Sequence, residues 1–231
     1  MQTVLLDFNA RVKEINEYFL FLNGLINETT KLAISEDSDE QTIKTIDSEL
    51  AKTLKANSFL LLYNLIESSM RNAIEAIFDE LKSKKVSFDS ARIEIRKVVL
   101  QNFKSRSPDD IHTRITDISL DIITAGFKSK ELFSGNIDRE EITKTARKYG
   151  FSYDTDYSKT KHGENLYKIM QNRNDLAHGN KSFSEVGKDL SIEDLIKVKN
   201  EVVEYIGQIL INIEIYLDEK EYLDSSFLVT P

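Results

Sequence analysis

The feature that most constrains the fold is a regular spacing of apolar residues in the first 31 positions. Apolar side chains recur with alternating gaps of three and four residues, at Leu5, Phe8, Val12, Ile15, Phe19, Leu22 and Ile26. This spacing follows the turn of an α-helix and lines up one apolar face. It predicts a long helix from about Thr3 to Lys31, which must bury that face against a partner.

A second long helix is predicted from about Gln41 to Lys84, after an acidic break at residues 35–40 that is typical of an exposed loop. Its centre, Phe59 to Leu65, is apolar on nearly every side, as in the central buried helix of a bundle. A narrow polar stripe also follows this helix, formed by Asn57, Asn64, Glu67, Ser68 and Arg71. The stripe either surfaces between packed neighbours or forms a wall beside a functional helix. Glu67 and Arg71 are spaced as an ion pair.

The segment from residue 86 to residue 161 contains shorter elements. Residues 86–127 predict two short helices, the second of which starts with Ser107 as cap and Pro108 in its first turn. Residues 138–150 predict a small basic helix, whose cations are Arg139, Lys144, Arg147 and Lys148. Residues 151–163 predict a long loop with three aromatic residues and His162. Such aromatic rings either stack on unpaired bases or anchor the loop to the core.

A last long helix is predicted from a cap at Ser191 to about Lys220. No internal repeat and no strand-like alternation is visible. The fold class predicted is therefore all-α: an up-and-down helical bundle with two long N-terminal helices and an inserted helical segment. We expect a single domain over residues 1–231, with the helical insertion at residues 86–161 inside it.

Composition narrows the classes of function. The chain has no cysteine, which excludes disulfides and thiolate metal sites, and no apolar run long enough to cross a bilayer. A cytoplasmic protein is the expectation. The net charge of −8 argues against a general nucleic-acid binder, yet residues 80–181 carry 20 basic and 15 acidic side chains. That basic third could hold a phosphate backbone, or its charges are ordinary solvated helix faces.

One short stretch near the end of the basic third offers chemistry: Arg173-Asn174-Asp175-Leu176-Ala177-His178-Gly179. On a helix Arg173 and His178 lie roughly 140° apart, at about 100° per residue, so both reach one site only at a helix edge or against a second surface. Gly179 is a candidate for the residue just past the helix end. A His beside a fixed cation can act as general acid or base near neutral pH. Alternatively, His178 simply caps the carbonyl end of the helix.

This stretch resembles the R-x4-6-H motif of the HEPN superfamily, and the likeness extends over roughly residues 8–222. Residues 55–71, KANSFLLLYNLIESSMR, resemble the long second helix of the MAE-type prokaryotic HEPN proteins, and residues 134–138 and 181–187 resemble their flanking stretches. The resemblance implies a metal-independent endoribonuclease, of the kind found among toxins and antiphage defence effectors. It also allows a non-catalytic HEPN module that binds RNA or neutralises a catalytic HEPN partner. A structural helical dimerisation domain is a third reading.

If the site cleaves RNA, the residue types assign the roles. His178 would move the proton of the 2′-hydroxyl or of the leaving 5′-oxygen, and Arg173 would hold the phosphate. Asn174 or Asp175 would orient either residue, and Glu67 and Arg71 would support the site from the second helix. We expect RNA-binding cations at Arg139, Lys144, Arg147, Lys148 and Lys168.

Neither a cofactor nor a metal ion is expected, since the three His residues lack the spacing of metal ligands. The expected partners are RNA, a second copy of the chain across a shared site, and an antitoxin or second HEPN protein. In some HEPN toxins a Tyr two positions after the motif His accepts AMP. Here that position is Asn180, so neutralisation by adenylylation there is not expected.

Overall fold

Three long helices form the framework of the molecule in the computed structural model, which describes residues 1–35, 41–127, 132–133 and 135–227. They are α1 (Gln2–Ile26), α2 (Ser48–Ser83) and α11 (Ile192–Asp218), and each packs against the other two. The centre of α2 is buried, with Phe59, Leu62, Leu65, Ile66 and Met70 almost fully enclosed. This confirms the predicted all-α class and the central position of the second long helix.

The connection between α1 and α2 differs from the prediction. The helix α1 ends at Ile26 rather than near Lys31, and α2 begins at Ser48 rather than near Gln41. A short antiparallel hairpin lies between them, with β1 (Leu32–Ser35) paired to β2 (Gln41–Lys44). Four-residue strands are too short for alternation to be visible in the sequence, which is why the prediction missed them. The acidic residues 36–40 lie outside the described residues.

The segment after α2 is divided more finely than predicted. It begins with α3 (Ile93–Lys104), α4 (Pro108–Thr113), α5 (Ile115–Leu120) and α6 (Ile122–Gly126), so the prediction of two helices over residues 86–127 was wrong. Asp121 has extended backbone dihedrals, and its side chain accepts a hydrogen bond from Thr124 N at 3.0 Å. This cap starts a new helix where the apolar spacing alone suggested a continuous one. The start signal at Ser107 and Pro108 is present as predicted.

Further along, α7 (Arg139–Tyr149) is capped by Asp138, which accepts from Glu141 N at 2.9 Å, and it ends at Gly150 in the left-handed region. The loop predicted at residues 151–163 includes a short helix, α8 (Tyr157–Thr160), and a 3₁₀ turn at Lys161–Gly163. Residues of α3, α7 and the 151–163 segment share one hydrophobic core with the long helices.

The last elements bring the motif against α2. The helix α9 (Asn165–Ala177) carries the motif and packs on α2, as does α10 (Phe183–Gly187). A Cβ atom at Gly187 would lie 2.0 Å from the backbone oxygen of Lys52, so only glycine permits this close approach. No helix in the described ranges is long and apolar enough to cross a membrane.

Candidate functional site

The motif lies at the C-terminal end of α9, where the chain leaves the helix through a glycine turn. His178 is the residue that caps the helix, and Gly179 follows with a φ of 70°. Asn180 N donates to the backbone oxygen of Asp175 at 2.8 Å, and Gly179 N donates to that of Leu176 at 3.3 Å. These two bonds are those of a Schellman cap, which ends the helix and fixes the path of the next residues.

Arg173 is held in one orientation by three neighbours. Its Cζ lies 3.8 Å from the centroid of the Tyr63 ring. Its Nη2 donates to Glu67 Oε2 at 3.2 Å, and its Nη1 donates to Asn174 Oδ1 at 2.8 Å. The side chain is 22% exposed. A ring stack and hydrogen bonds from two separate nitrogens fix both the plane and the direction of the guanidinium group.

The neighbours on α2 follow from a four-residue spacing. Tyr63, Glu67 and Arg71 stand one above the other on the helix face that meets α9. Arg71 Nη2 donates to Glu67 Oε1 at 3.2 Å, while Oε2 of the same carboxylate accepts from Arg173. One carboxylate therefore bridges two guanidinium groups, and the three side chains form a charged cluster.

The segment before α7 closes the cluster from a second side. Asn174 Nδ2 donates to Asn136 Oδ1 at 2.7 Å, and the backbone N of Ile137 donates to the Tyr63 hydroxyl at 3.1 Å. Burial raises the pKa of Tyr63 above its ordinary value, an effect that this hydrogen bond and the Arg173 charge partly offset. The tyrosine is therefore neutral near pH 7 and acts as a packing surface for Arg173.

The two polar residues after Arg173 have different partners. Asn174 contacts the arginine, whereas Asp175 Oδ2 accepts from Lys181 Nζ at 2.6 Å. The hydrogen bond from the Lys181 ammonium holds the pKa of Asp175 below its usual range. Asp175 therefore ties the loop after α9 back onto the helix through Lys181, and not through Arg173 or His178.

His178 is exposed and lies at the open end of the helix. Its backbone N donates to the Asn174 backbone oxygen at 3.0 Å, which is an ordinary helical bond. Within the described part of the chain, its ring makes no hydrogen bond. One chain thus offers an arginine in a fixed position and a histidine whose ring is open to solvent.

The cations predicted to bind RNA lie on two surfaces. Four of them are exposed on α7, namely Arg139, Lys144, Arg147 and Lys148. Lys144 pairs with Glu140 at 2.9 Å, and Arg147 donates to the Tyr153 hydroxyl at 3.1 Å. Lys168 lies instead in a groove between α9 and α10, where Lys181 and Lys188 are its basic neighbours. The four α7 cations therefore share one helix, over about half of its circumference at about 100° per residue, whereas Lys168 lies on α9.

Two neighbours of the motif were not predicted from the sequence: Tyr63, which contacts Arg173, and Asn136, which contacts Asn174. Tyr63 was assigned only to the apolar centre of α2, and Asn136 only to a stretch resembling the family. A row of Tyr, Glu and Arg at four-residue spacing on α2 was the available signal for Tyr63. No sequence signal pairs Asn136 with Asn174, because they are 38 residues apart and meet only through the tertiary fold. Across the described ranges, no three His, Asp or Glu side chains gather as metal ligands.

The molecule is an all-α bundle in which helix α9 packs on the central helix α2 and ends in the Arg-x4-His motif. This arrangement is consistent with a HEPN-type domain. The family model described as HEPN_MAE_28990-like HEPN matches residues 1–222. The chain therefore belongs to this HEPN family. No curated protein and no solved structure gave a match to the chain.

Proposed function

We propose that the protein is a metal-independent endoribonuclease that cleaves RNA by attack of the 2′-hydroxyl on the adjacent phosphodiester. The observation that carries this proposal is the fixed guanidinium group of Arg173, five residues before an exposed His178 on the same helix end. A fixed cation lowers the energy of the charged phosphorane-like transition state, and a His moves protons near neutral pH.

Arg173 is the group suited to hold the phosphate. Its hydrogen bonds to Glu67 and Asn174 use two of the five N–H donors of a guanidinium group, which leaves donors for phosphate oxygens. Arg71 shares the Glu67 carboxylate, so this carboxylate is divided between two guanidinium groups and is not devoted to Arg173 alone. Tyr63 keeps the guanidinium plane in place while the charge on the phosphate builds.

His178 is the group suited to proton transfer. In its neutral form it can accept the proton of the 2′-hydroxyl, and in its protonated form it can donate to the leaving 5′-oxygen. The products would be a 2′,3′-cyclic phosphate and a 5′-hydroxyl. DNA would not react because it lacks the attacking hydroxyl.

The proposal includes a site shared by two copies of the chain. Acid–base cleavage uses two proton-transferring groups, whereas the motif of one chain supplies one His. A twofold dimer could bring two α9 ends together, since a symmetric contact places the same patch of both subunits face to face. The biological role we propose is a toxin or antiphage defence effector, controlled by an antitoxin or a second HEPN protein.

The direct test incubates the purified protein with mixed single-stranded RNA in an excess of chelator. We expect cleavage to persist, with 2′,3′-cyclic phosphate ends on the products. A DNA of the same sequence serves as the control and should stay intact. Loss of cleavage in the chelator, restored by magnesium or manganese, would contradict the proposed mechanism.

A second candidate function has one specific observation in its favour. Arg173 already has a carboxylate partner in Glu67, and the His178 ring lacks an orienting hydrogen bond among the described residues. A non-catalytic HEPN module, which binds RNA or pairs with a catalytic HEPN protein, fits that arrangement. Tight binding of RNA that stays uncut, at every protein concentration tested, would favour this alternative.

A further inference from the structure

A small cleft lies beside α7, away from the motif. Its walls include Arg139 on α7, Tyr153 and Thr155 from the segment after it, and His162 from the turn before α9, and its volume is about 110 Å³. Pockets for drug-sized molecules measure roughly 300–1,000 Å³. The cleft is therefore the size of a single compact group such as a phosphate, and a nucleoside would not enter it.

The turn that presents His162 has an unusual backbone. Lys161 and His162 have φ angles of 47° and 49°, and Gly163 follows with 76°. Residues with a Cβ atom are disfavoured in this left-handed region, so the surrounding structure must hold the turn. Thr155 Oγ1 lies 3.0 Å from His162 Nδ1, and the backbone N of His162 donates to Thr160 Oγ1 at 3.0 Å. These bonds fix the imidazole at the wall of the cleft.

Two tyrosine rings are open to solvent here: Tyr153 lines the cleft, and Tyr157 lies beside it with its ring centroid 5.3 Å from that of His162. Tyr153 is 36% exposed and Tyr157 is 51% exposed. Each ring has a cation beside it: Arg147 Cζ is 5.3 Å from the Tyr153 centroid, and Lys161 Nζ is 4.7 Å from that of Tyr157. Proteins that bind single-stranded nucleic acid combine exposed aromatic rings, on which bases stack, with nearby cations that contact the phosphates.

The two exposed tyrosines are not needed to anchor residues 151–163 to the core, because other side chains hold this segment in place. Phe151 is 3% exposed and Thr160 is 1% exposed. Two side chains of α11 also bind the backbone of the segment: Gln208 Oε1 accepts from Asp156 N at 2.7 Å, and Asn212 Nδ2 donates to the Asp154 backbone oxygen at 2.9 Å. The tyrosines are thus available for another partner.

The cleft wall carries one cation, Arg139, and one carboxylate, Asp154, and the carboxylate of Asp156 lies close to His162. Asp156 accepts from Ser158 N at 2.9 Å and from Ser158 Oγ at 2.7 Å, and these bonds hold its pKa below the usual range. That carboxylate is therefore occupied as a helix cap. Asp154 and Arg139 are both exposed to solvent. Arg139 and His162 are the nitrogen-bearing side chains in the cavity wall, beside the hydroxyl groups of threonine and tyrosine.

The cleft lies close enough to the motif for one RNA strand to contact both. Asn136 is hydrogen-bonded to Asn174 at 2.7 Å, directly beside Arg173. Arg139 is three residues further along the chain, so its Cα lies at most about 11 Å from that of Asn136. A single strand held at Arg173 needs to extend by only a few nucleotides to reach the cleft.

We propose that this cleft is a subsite for single-stranded RNA, in which Arg139 and His162 hold one backbone phosphate and Tyr153 and Tyr157 stack on unpaired bases. The inference rests on the proposed ribonuclease function, because it concerns the RNA strand on either side of the bond that Arg173 and His178 would cleave. It makes the cleft a contributor to affinity and to the preference for unpaired RNA.

Binding of a labelled, unstructured 2′-O-methyl oligonucleotide, measured by fluorescence anisotropy, tests the subsite separately from cleavage. The probe cannot be cut because its 2′-oxygen is blocked. Tyr157→Ala should weaken binding about fivefold or more, which is the lower end of the loss expected from one base–aromatic stack. Arg139→Gln should lower the slope of log affinity against log salt by about 0.7, the value for one phosphate contact with a single strand.

Matched variants separate these effects from general damage to the protein. Tyr157→Phe keeps the ring and should bind as the wild type does. Tyr167→Ala removes a tyrosine of similar exposure, 55%, on α9 outside the cleft, and should also bind normally. Arg114→Gln removes an exposed arginine between α4 and α5 and should leave the salt slope unchanged.

The outcomes distinguish the subsite from the ribonuclease proposal. If Tyr157→Ala and Arg139→Gln bind the probe as well as the wild type while the wild type cleaves ordinary RNA, the subsite is refuted and the ribonuclease proposal stands. If both variants lose binding but the wild type cuts no RNA, the subsite is supported and the cleavage proposal fails. A wild type that neither binds the probe nor cuts RNA overturns both.

Discussion

The two ends of the Arg-x4-His motif, Arg173 and His178, differ sharply in their exposure to solvent and in their contacts. Arg173 is 22% exposed and touches Tyr63, Glu67 and Asn174, so its position is built into one chain. His178, five residues later, is exposed, and its ring has no hydrogen bond among the described residues. The difference teaches that a single chain fixes the position of the Arg173 guanidinium group but not that of the His178 ring.

The largest effect is expected when the side chain of either Arg173 or His178 is removed. Arg173→Ala and His178→Ala should each lower the RNA cleavage rate by about 10²-fold or more, because each removes a phosphate-holding or proton-transferring group. Cleavage assays with equal amounts of protein give the measurement, and circular dichroism checks that helical content is unchanged. His112→Ala, which removes an exposed His on α4, is the control. Cleavage by either motif variant at the wild-type rate would show that the site is elsewhere.

The second test addresses the exposed end alone. If His178 from two chains serves one site, adding an excess of His178→Ala chains should reduce activity per wild-type chain as more of them enter mixed dimers. The rate is measured against the mixing ratio after subunit exchange, and light scattering reports the oligomeric state. An active monomer, or a rate strictly proportional to the number of wild-type chains, would exclude a shared site.

The third test weakens the contacts that position Arg173 and leaves the arginine itself in place. Glu67→Gln should keep the shape of the side chain but remove the charge that positions Arg173, and cleavage should fall about tenfold, as for the loss of one charge-assisted hydrogen bond. RNA cleavage and thermal unfolding are measured together, because a loss of activity at an unchanged Tm indicates positioning. Asp79→Asn, which neutralises an exposed carboxylate of the same helix, is the control. An unchanged cleavage rate for Glu67→Gln would mean that Tyr63 and Asn174 suffice to place the arginine.

The smallest expected effect concerns the ion pair between Lys181 and Asp175, which holds the loop after α9. Lys181→Met should raise the pKa of Asp175 towards its ordinary range, since the Lys181 hydrogen bond is what lowers it. Because the folded pKa is the lower one, the ion pair stabilises the fold above the unfolded pKa, and this stabilisation is lost as pH falls through the folded pKa. An NMR titration of the Asp175 carboxyl group measures the shift, and Lys188→Met is the control. An Asp175 pKa that stays low in Lys181→Met would assign the shift to another neighbour.

Sequence patterns predicted the regular elements well and the irregular ones poorly. The caps at Ser107, Asp138 and Ser191 were found because side-chain caps depend on residue type and local spacing. The hairpin at residues 32–44 and the break between α5 and α6 were missed, since four-residue strands and a single extended residue leave no periodic signal. The expectations for catalysis, for RNA and for partners stay predictions.

For the candidate site, local spacing gave the direction of each motif residue but not its surroundings. The 140° separation of Arg173 and His178, about five helical steps, follows from helix geometry alone. The stack of Arg173 on Tyr63, and the bond from Asn174 to Asn136, join residues far apart in the chain. Such contacts depend on how helices pack, which no local pattern encodes.

The sequence by itself determined the presence of three long helices, their buried faces, the end of α9 just before Gly179 and the location of the motif. These follow from the helical period, from capping chemistry and from the ability of glycine to adopt a positive φ. Only the tertiary structure decided which end of the motif is enclosed. Packing of α9 on α2 brings a ring and a carboxylate to Arg173, while the same packing leaves the last turn, and with it His178, at the edge of the bundle in contact with solvent.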